Sequence, residues 1–274
     1  MKTAELLSKE PQTEATITVG TRSFARSRPT FVRVAMPAFN EEAAIGLLIP
    51  RIMQTLEESG WSFDILIVDD GSSDDTAEVA ERLSENYPVR LVRHGVNRGL
   101  GAAITTALTE SMDGLFDDDI IITMDADNTH PPQLISRMVP MIREGRDIVI
   151  ASRFQPGGQV VGLSRFREIL SFGASWMMRL LFGVRNCRDY TCGYRAYRVG
   201  FLRNAHNQMN GQLVRESGFA SMSELLLNLS RYNAIVGEVP MLLRYDMKRG
   251  ASKMNIGKTV VRTFRMVMRH RFGF

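Results

Sequence analysis

Between Phe31 and Phe154, five short apolar segments each stop at a cluster of polar residues, and this alternation restricts the fold more than any other feature. The segments are Phe31 to Met36, Phe63 to Val68, Val89 to Val92, Ile120 to Met124 and Ile148 to Ala151. Between them lie stretches of helical spacing: Ile45, Leu48, Ile52 and Leu56; Ala77, Val79, Ala80 and Leu83; then Gly101 to Met112 and Pro132 to Ile142. Strands alternating with helices of this length predict an α/β fold with a mainly parallel sheet covered on both faces. Ligands of such sheets bind in the crevice beyond the carboxyl ends of the strands. The clusters Pro37-Ala-Phe-Asn-Glu41, Asp69-Asp-Gly-Ser72, Asn97-Arg-Gly-Leu-Gly101, Asp125-Ala-Asp127 and Ser152-Arg-Phe154 should therefore share one edge. Asn40 is placed as the cap of the first helix and Asp74 as that of the second. Asp117-Asp-Asp119 precedes its strand and is expected at the opposite edge.

The edge carries a definite chemistry. Asp125 and Asp127 offer hard oxygen ligands for Mg²⁺ or Mn²⁺ bridging a diphosphate, while Arg98 and Arg153 bring guanidinium groups suited to phosphate. An isolated Asp-x-Asp is equally well a solvated strand end, and it is the order of all five clusters that favours a site. Two cysteines, Cys187 and Cys192, make neither a disulfide framework nor a zinc motif, and point to a reducing compartment.

The remainder is less regular. Gln155 to Gly162 reads as a Gly-rich loop, Phe166 to Leu181 as a helix, Arg185 to Gly193 as a polar loop, Ala220 to Leu229 as a helix and Ala234 to Val239 as a strand. From Met241 onward nine Lys and Arg stand against Asp246 alone, a local charge of +8 in a chain whose net charge is +4. Val260, Val261, Phe264, Val267 and Met268 fall on one stripe there, with Arg262, Arg265 and Arg269 opposite, which predicts a basic amphipathic helix. The default for such a stripe is packing on the domain; the basic face points to an anionic membrane surface. Phe172, Trp176, Leu180 and Leu181 give the Phe166 to Leu181 helix a similar interfacial character. A spanning helix needs about 20 apolar residues, and Arg179 interrupts the nearest approach. The expected location is cytoplasmic, peripheral on the inner face of the membrane, without a nucleic-acid partner. The expected divisions are a polar tail over 1–30, a catalytic domain over 31–254 and the basic helix over 255–274.

Taken together, Pro37-Ala-Phe-Asn-Glu-Glu42, Val68-Asp-Asp-Gly-Ser-Ser-Asp-Asp-Thr76, Asn97-Arg-Gly-Leu-Gly101, Asp125-Ala-Asp127 with His130-Pro131, Ser152-Arg-Phe154, Arg167 with Ser171, Asp189-Tyr-Thr-Cys-Gly-Tyr-Arg195, Glu238-Val-Pro240 and Gly250-Ala-Ser-Lys-Met254 resemble the family 2 glycosyltransferases of GT-A fold. Within that family the likeness is to the dolichyl- or polyprenyl-phosphate mannosyl- and glucosyltransferase branch. The resemblance implies a Rossmann-like GT-A sheet and an inverting, metal-dependent transfer of a hexose from a nucleotide diphosphate sugar to a polyprenyl phosphate. It implies that Pro37, Ala38, Asn40, Glu41, Asp69 and Asp70 surround the base and ribose, with Arg98 near base or phosphates. Asp125, Ala126 and Asp127 would hold the nucleotide, and Asp125, Asp127 and Thr129 the Mg²⁺ or Mn²⁺. Arg153 and Arg167 would hold the acceptor phosphate, with Lys253 as a further contact; Asp127, Arg153 and Arg167 form the catalytic set. Thr129 stands where the branch carries a Gln, and Met247 where it carries an Arg, with Lys248 and Arg249 offering a shifted basic contact. Glu224 is either the base for a hydroxyl acceptor or a brace for an arginine. The remaining alternatives are a glycosyltransferase with a soluble or protein hydroxyl acceptor, and a binding protein that kept the fold.

Overall fold

A computed structural model describes residues 28–248 and 256–272. Residues 1–27 of the polar tail and the Gly250 to Met254 motif, Lys253 included, lie outside the described residues.

The apolar segments form five parallel strands, β1 (Phe31–Ala38), β2 (Ser62–Asp69), β3 (Val89–Arg93), β4 (Ile120–Thr123) and β5 (Ile148–Ser152). With β7 (Arg195–Arg198) and β8 (Val236–Pro240) they make a seven-stranded sheet in the order β3-β2-β1-β4-β7-β5-β8. Strand β7 alone is antiparallel, running between β4 and β5. Its sequence, Arg-Ala-Tyr-Arg, carries no apolar run and no strand was expected there. The sheet nonetheless accepts it because fully buried Arg195 gives Nη1 to the Met222 carbonyl at 2.8 Å and Nη2 to the Tyr190 carbonyl at 3.0 Å, so both terminal nitrogens are met inside. The Gly-rich loop also hides a strand: β6 (Gln159–Val161) pairs in parallel with β9 (Leu242–Arg244).

Helices α1 (Glu42–Ser59), α2 (Thr76–Ser84), α3 (Leu100–Met112) and α4 (Ile135–Arg143) connect the parallel strands; α5 (Arg165–Phe182), α6 (Val199–Gln208), α7 (Ala220–Ser230) and α8 (Ile256–Phe272) follow. The core is built where expected: Val34, Ile65, Ile121, Ile122, Val149 and Ile150 on the strands, and Ile45, Leu48, Ile52 and Leu56 on α1, are fully buried. The Asp117 to Asp119 run is structural, as its position before β4 suggested. Asp119 accepts the N–H groups of Phe31 at 2.9 Å and Phe116 at 2.8 Å, and pairs with Arg28.

The orientation of α8 differs from the expected one. Met266 and Val267 are buried, whereas Val260, Val261 and Phe264 stand exposed. Two of the arginines assigned to the outer face instead reach the domain: Arg262 gives Nη1 to Ser217 Oγ at 3.0 Å, and Arg269 gives Nη2 to Glu224 at 2.5 Å and lies 3.2 Å from Glu216. The basic face thus has acidic relief, which the local sequence could not show because Glu216 and Glu224 are about 45–53 residues away. The exposed remainder of the helix mixes Val260, Val261, Phe264 and Phe272 with Lys258, Arg265 and Arg271.

Candidate active site

The polar clusters converge at the carboxyl edge of the sheet. Pro37 and Ala38 end β1, paired with Val68 and Asp69 of β2. Asn40 is not the cap of α1. It sits at φ 53°, a left-handed conformation Asn tolerates, and its Oδ1 accepts the Ser73 N–H at 2.8 Å while its own N–H meets Ser72 Oγ at 2.9 Å. The two loops are thereby laced together, and buried Glu41 adds its N–H to Thr76 Oγ1 at 2.7 Å. The cap of the second helix is Asp75 rather than Asp74, although Asp74 accepts the Thr76 N–H at 3.1 Å.

Asp69 accepts the Ser72 N–H at 3.1 Å. The Asp70 carboxylate is spent on the next loop, taking the N–H groups of Arg98 at 3.0 Å and Gly99 at 2.8 Å and standing 2.7 Å from His94 Nδ1. His94 in turn meets Thr106 at 2.9 Å; the sequence showed it only as an isolated histidine. Gly71 explains the Asp-Asp-Gly order, because a Cβ there would lie 2.4 Å from the Val96 carbonyl carbon. The Arg98 side chain is left exposed at the rim.

After β4 the two carboxylates occupy different environments. The Asp125 side chain is 44% exposed, its N–H held by His130 Nδ1 at 3.1 Å, and the His130 ring stacks on Tyr194. Burial of its surroundings and the charge of Asp127 push the Asp125 carboxyl up, against the pull of His130, Lys248 and Arg153. Asp127 is buried; burial opposes its charge, but Lys248, His130 and the Thr129 hydroxyl hold its pKa below the ordinary carboxylate range. Thr129 gives its hydroxyl at 2.7 Å and its N–H at 3.2 Å to Asp127 Oδ1, and Lys248 Nζ pairs with Oδ2. Of the two basic residues in that segment, Lys248 meets a carboxylate here and lies close enough to Glu41 and Tyr245 to feel both, while Arg249 lies outside the described residues. Ala126 between the carboxylates is buried. Two carboxylates and a hydroxyl, one carboxylate open to the cleft, are a donor set of hard oxygens that fits Mg²⁺ or Mn²⁺ completed by diphosphate oxygens.

After β5, Arg153 is committed to a buried partner. Its Nε and Nη2 meet Asp189 Oδ2 and Oδ1 at 2.8 and 2.7 Å, its backbone N–H adds a third bond at 3.1 Å, and Nη2 also reaches Thr191 Oγ1 at 2.5 Å. Burial disfavours both charges, yet their pairing wins: Arg153 is raised and Asp189 lowered. Thr191 continues to Ser171 Oγ at 3.4 Å on α5, one turn from Arg167, whose Nη1 stands 3.4 Å from the Tyr245 hydroxyl. The contacts of Arg153 thus reach α5 at Ser171, one helical turn from Arg167. Glu224 is a brace. It accepts the N–H groups of Arg215 and Glu216, each at 2.7 Å, and the Arg269 guanidinium at 2.5 Å. Burial alone would raise its carboxyl, but these bonds and the His270 ring bring it down to about 2.

A family model described as "Glycosyl transferase family 2" matches residues 33–205. The chain is 33% identical over 239 residues to a "Dolichol-phosphate mannosyltransferase" of Pyrococcus furiosus, covering 87% of this chain and 63% of that protein, so it spans less than two thirds of that relative's length. It is 30% identical over 238 residues to an "Undecaprenyl-phosphate mannosyltransferase" of Micrococcus luteus, covering 85% of this chain and 93% of the relative. Among solved structures it is similar to glucosyl-3-phosphoglycerate synthase of Mycobacterium tuberculosis in complex with Mn²⁺, UDP and phosphoglyceric acid, with a TM-score of 0.64, 19% identity and coverage of 89% and 79% of the two chains. That likeness establishes the GT-A fold.

Proposed function

The chain belongs to glycosyltransferase family 2, and on that premise we propose that it moves a hexose, with inversion, from a nucleotide diphosphate sugar to a polyprenyl phosphate at a membrane surface. One observation carries the choice of acceptor. The contacts of Arg153 reach α5 one turn from Arg167, and that helix exposes Phe166, Ile169, Phe172, Trp176 and Leu180 to solvent. Phosphate-binding groups and an uncovered apolar face thus share one element, as an acceptor with a charged head and a hydrocarbon tail requires. The names of the relatives support the same class of acceptor.

In this reading Pro37, Ala38, Asn40, Glu41, Asp69 and Asp70 shape the base and ribose end, with Arg98 at the rim. Asp125 and Asp127, with Thr129 orienting Asp127, hold the diphosphate through Mg²⁺ or Mn²⁺. The metal ion supplies charge neutralisation for the departing nucleotide. Arg153, Arg167 and Lys253 hold the acceptor phosphate in line with the anomeric carbon, so that much of the rate comes from positioning. A phosphate oxygen is already ionised at neutral pH and needs no general base, and Glu224, the sequence's candidate base, is consumed in a brace.

Contact with the membrane is peripheral: among the described residues no helix is long and apolar enough to cross it. The exposed face of α5 and the outward Val260, Val261 and Phe264 of α8 are the surfaces that enter it. The free, buried Cys187 and Cys192 accord with the cytoplasmic side. The deciding experiment incubates the protein, Mn²⁺ and a panel of labelled nucleotide sugars with a polyprenyl phosphate and, separately, with phosphoglycerate. Label is expected in the lipid; transfer to phosphoglycerate alone would reject the lipid acceptor.

A further inference from the structure

Most arginines that reach the interior are paired: Arg33 with Asp64, Arg153 with Asp189, Arg198 with Asp147 and Arg269 with Glu224. Four arginines nearer the surface are not: half-buried Arg146, before β5, exposed Arg179, in the last turn of α5, and exposed Arg185 and Arg188, in the loop after it. They line a cleft of about 620 Å³. Among the described residues none of their guanidinium groups has a hydrogen-bond or ion-pair partner. The carboxylate in the lining, Glu238, spends Oε1 on the N–H groups of Arg188 at 2.6 Å and Asp189 at 2.8 Å and pairs with none of the four guanidinium groups.

Neither Asp125 nor Asp127 lines the cleft; it runs beside edge strand β8 from Val236 to Glu238 and reaches Gln155, two residues past Arg153. Its other side meets an apolar feature: Arg179 and Arg188 also border a cavity of about 150 Å³ floored by Phe154, Phe172 and Trp176, which opens on the exposed face of α5. Guanidinium groups and apolar surface therefore share a rim.

We propose that this cleft is a second anion site, which takes the phosphodiester headgroup of an anionic bilayer phospholipid while the adjoining cavity and α5 meet its hydrocarbon. Guanidinium groups match phosphate geometry and release little hydration on pairing, and unpaired arginines beside an apolar helix face are the chemistry of an anionic interface. The bound headgroup fixes how α5 lies in the surface and thus where Arg167 and Ser171 meet an incoming acceptor. The inference rests on the membrane contact proposed above, but not on the identity of the sugar or the acceptor.

The test measures partition of the full chain onto phosphatidylcholine vesicles with and without phosphatidylglycerol. Three proteins are compared: wild type, the triple variant Arg179→Gln, Arg185→Gln, Arg188→Gln, and a charge-matched control, Arg82→Gln, Arg90→Gln, Arg93→Gln, on the opposite side of the sheet. Wild type and control should prefer the anionic vesicles about tenfold or more, and the cleft variant should lose most of that preference while transferring sugar normally to acceptor in detergent micelles. Equal loss in both triple variants would reduce the cleft to diffuse charge and overturn the site. Loss of transfer in micelles would assign the cleft to the acceptor instead, and saturable binding of inorganic phosphate that releases the protein from vesicles would make free phosphate the ligand. A wild type that partitions as expected but transfers nothing would reject the transferase reading and leave the headgroup site standing.

Discussion

At the scale of single residues the site holds charges that compensate one another before any ligand arrives. Lys248 sits on Asp127 Oδ2, where it neutralises a buried carboxylate. An ammonium in that place competes with a divalent cation, so Lys248→Met should bind Mn²⁺ about tenfold more tightly in the absence of nucleotide, as read by electron paramagnetic resonance; unchanged Mn²⁺ affinity would show that the contact is incidental. Asp127→Asn should reduce transfer by about 10²–10³-fold, the size of effect of removing one preorganised charge-stabilising group, and chelation should abolish it. Arg153 is a different case. Replacing it by Ala strands Asp189 as a buried charge, a loss on the order of 3–5 kcal/mol in denaturant unfolding, and the added change Asp189→Asn should restore part of it. An activity loss in Arg153→Ala alone is therefore no measure of acceptor binding.

At the scale of elements, α8 is fastened to the domain by charge and only partly by its apolar stripe. Glu224 draws Arg269 and the backbone of Arg215 and Glu216 to one point, and its carboxyl lies at about 2 against an ordinary 4.5. A carboxyl lowered by folding contributes stability that is complete above its unfolded value and fades as pH falls through its folded one. The Tm of the wild type should drop between pH 4.5 and 2 more steeply than that of Glu224→Gln, which at pH 7 should already be weaker by about 1–3 kcal/mol through its underused donors. Parallel curves would remove Glu224 from the fastening. This element also marks the limit of what the sequence made legible. Periodicity located α8 and its apolar residues, but the inward side was decided by Glu216 and Glu224, which no local pattern connects to Arg269. Strand β7 escaped for the same reason, since the burial of Arg195 depends on carbonyls contributed by Tyr190 and Met222. The inner parallel strands β4 and β5 were legible because they are buried on both faces and read as unbroken apolar runs, whereas edge strand β3 carries exposed Arg90 and Arg93.

At the scale of the whole molecule, clusters scattered along the chain were gathered on one edge, in the spatial order β3, β2, β1, β4 and β5. Asp125 and Asp127 were legible as a pair, whereas the roles of His94, Asp189 and Lys248 as partners of Asp70, Arg153 and Asp127 needed the fold. Two helices present apolar side chains to solvent, and their charge-rich neighbours make attachment sensitive to both hydrocarbon and salt. Phe264→Glu, which should leave the Arg269 contacts intact, is expected to lower vesicle binding several-fold in flotation without changing Tm; undiminished flotation would confine the interface to α5.

The inserted antiparallel strand has one more effect. A polypeptide growing from its amino terminus completes β1 to β4, and with them the Asp125 and Asp127 carboxylates, before β7 exists. Strand β5 cannot reach the sheet until β7 has been laid beside β4, and β5 carries Arg153 at its end. At about 5–20 residues per second, several seconds of synthesis separate the two halves of the catalytic edge. The nascent chain thus holds the groups proposed to grip a nucleotide sugar well before the groups proposed to give the sugar a destination join them, and the strand inserted between β4 and β5 brings the two into register.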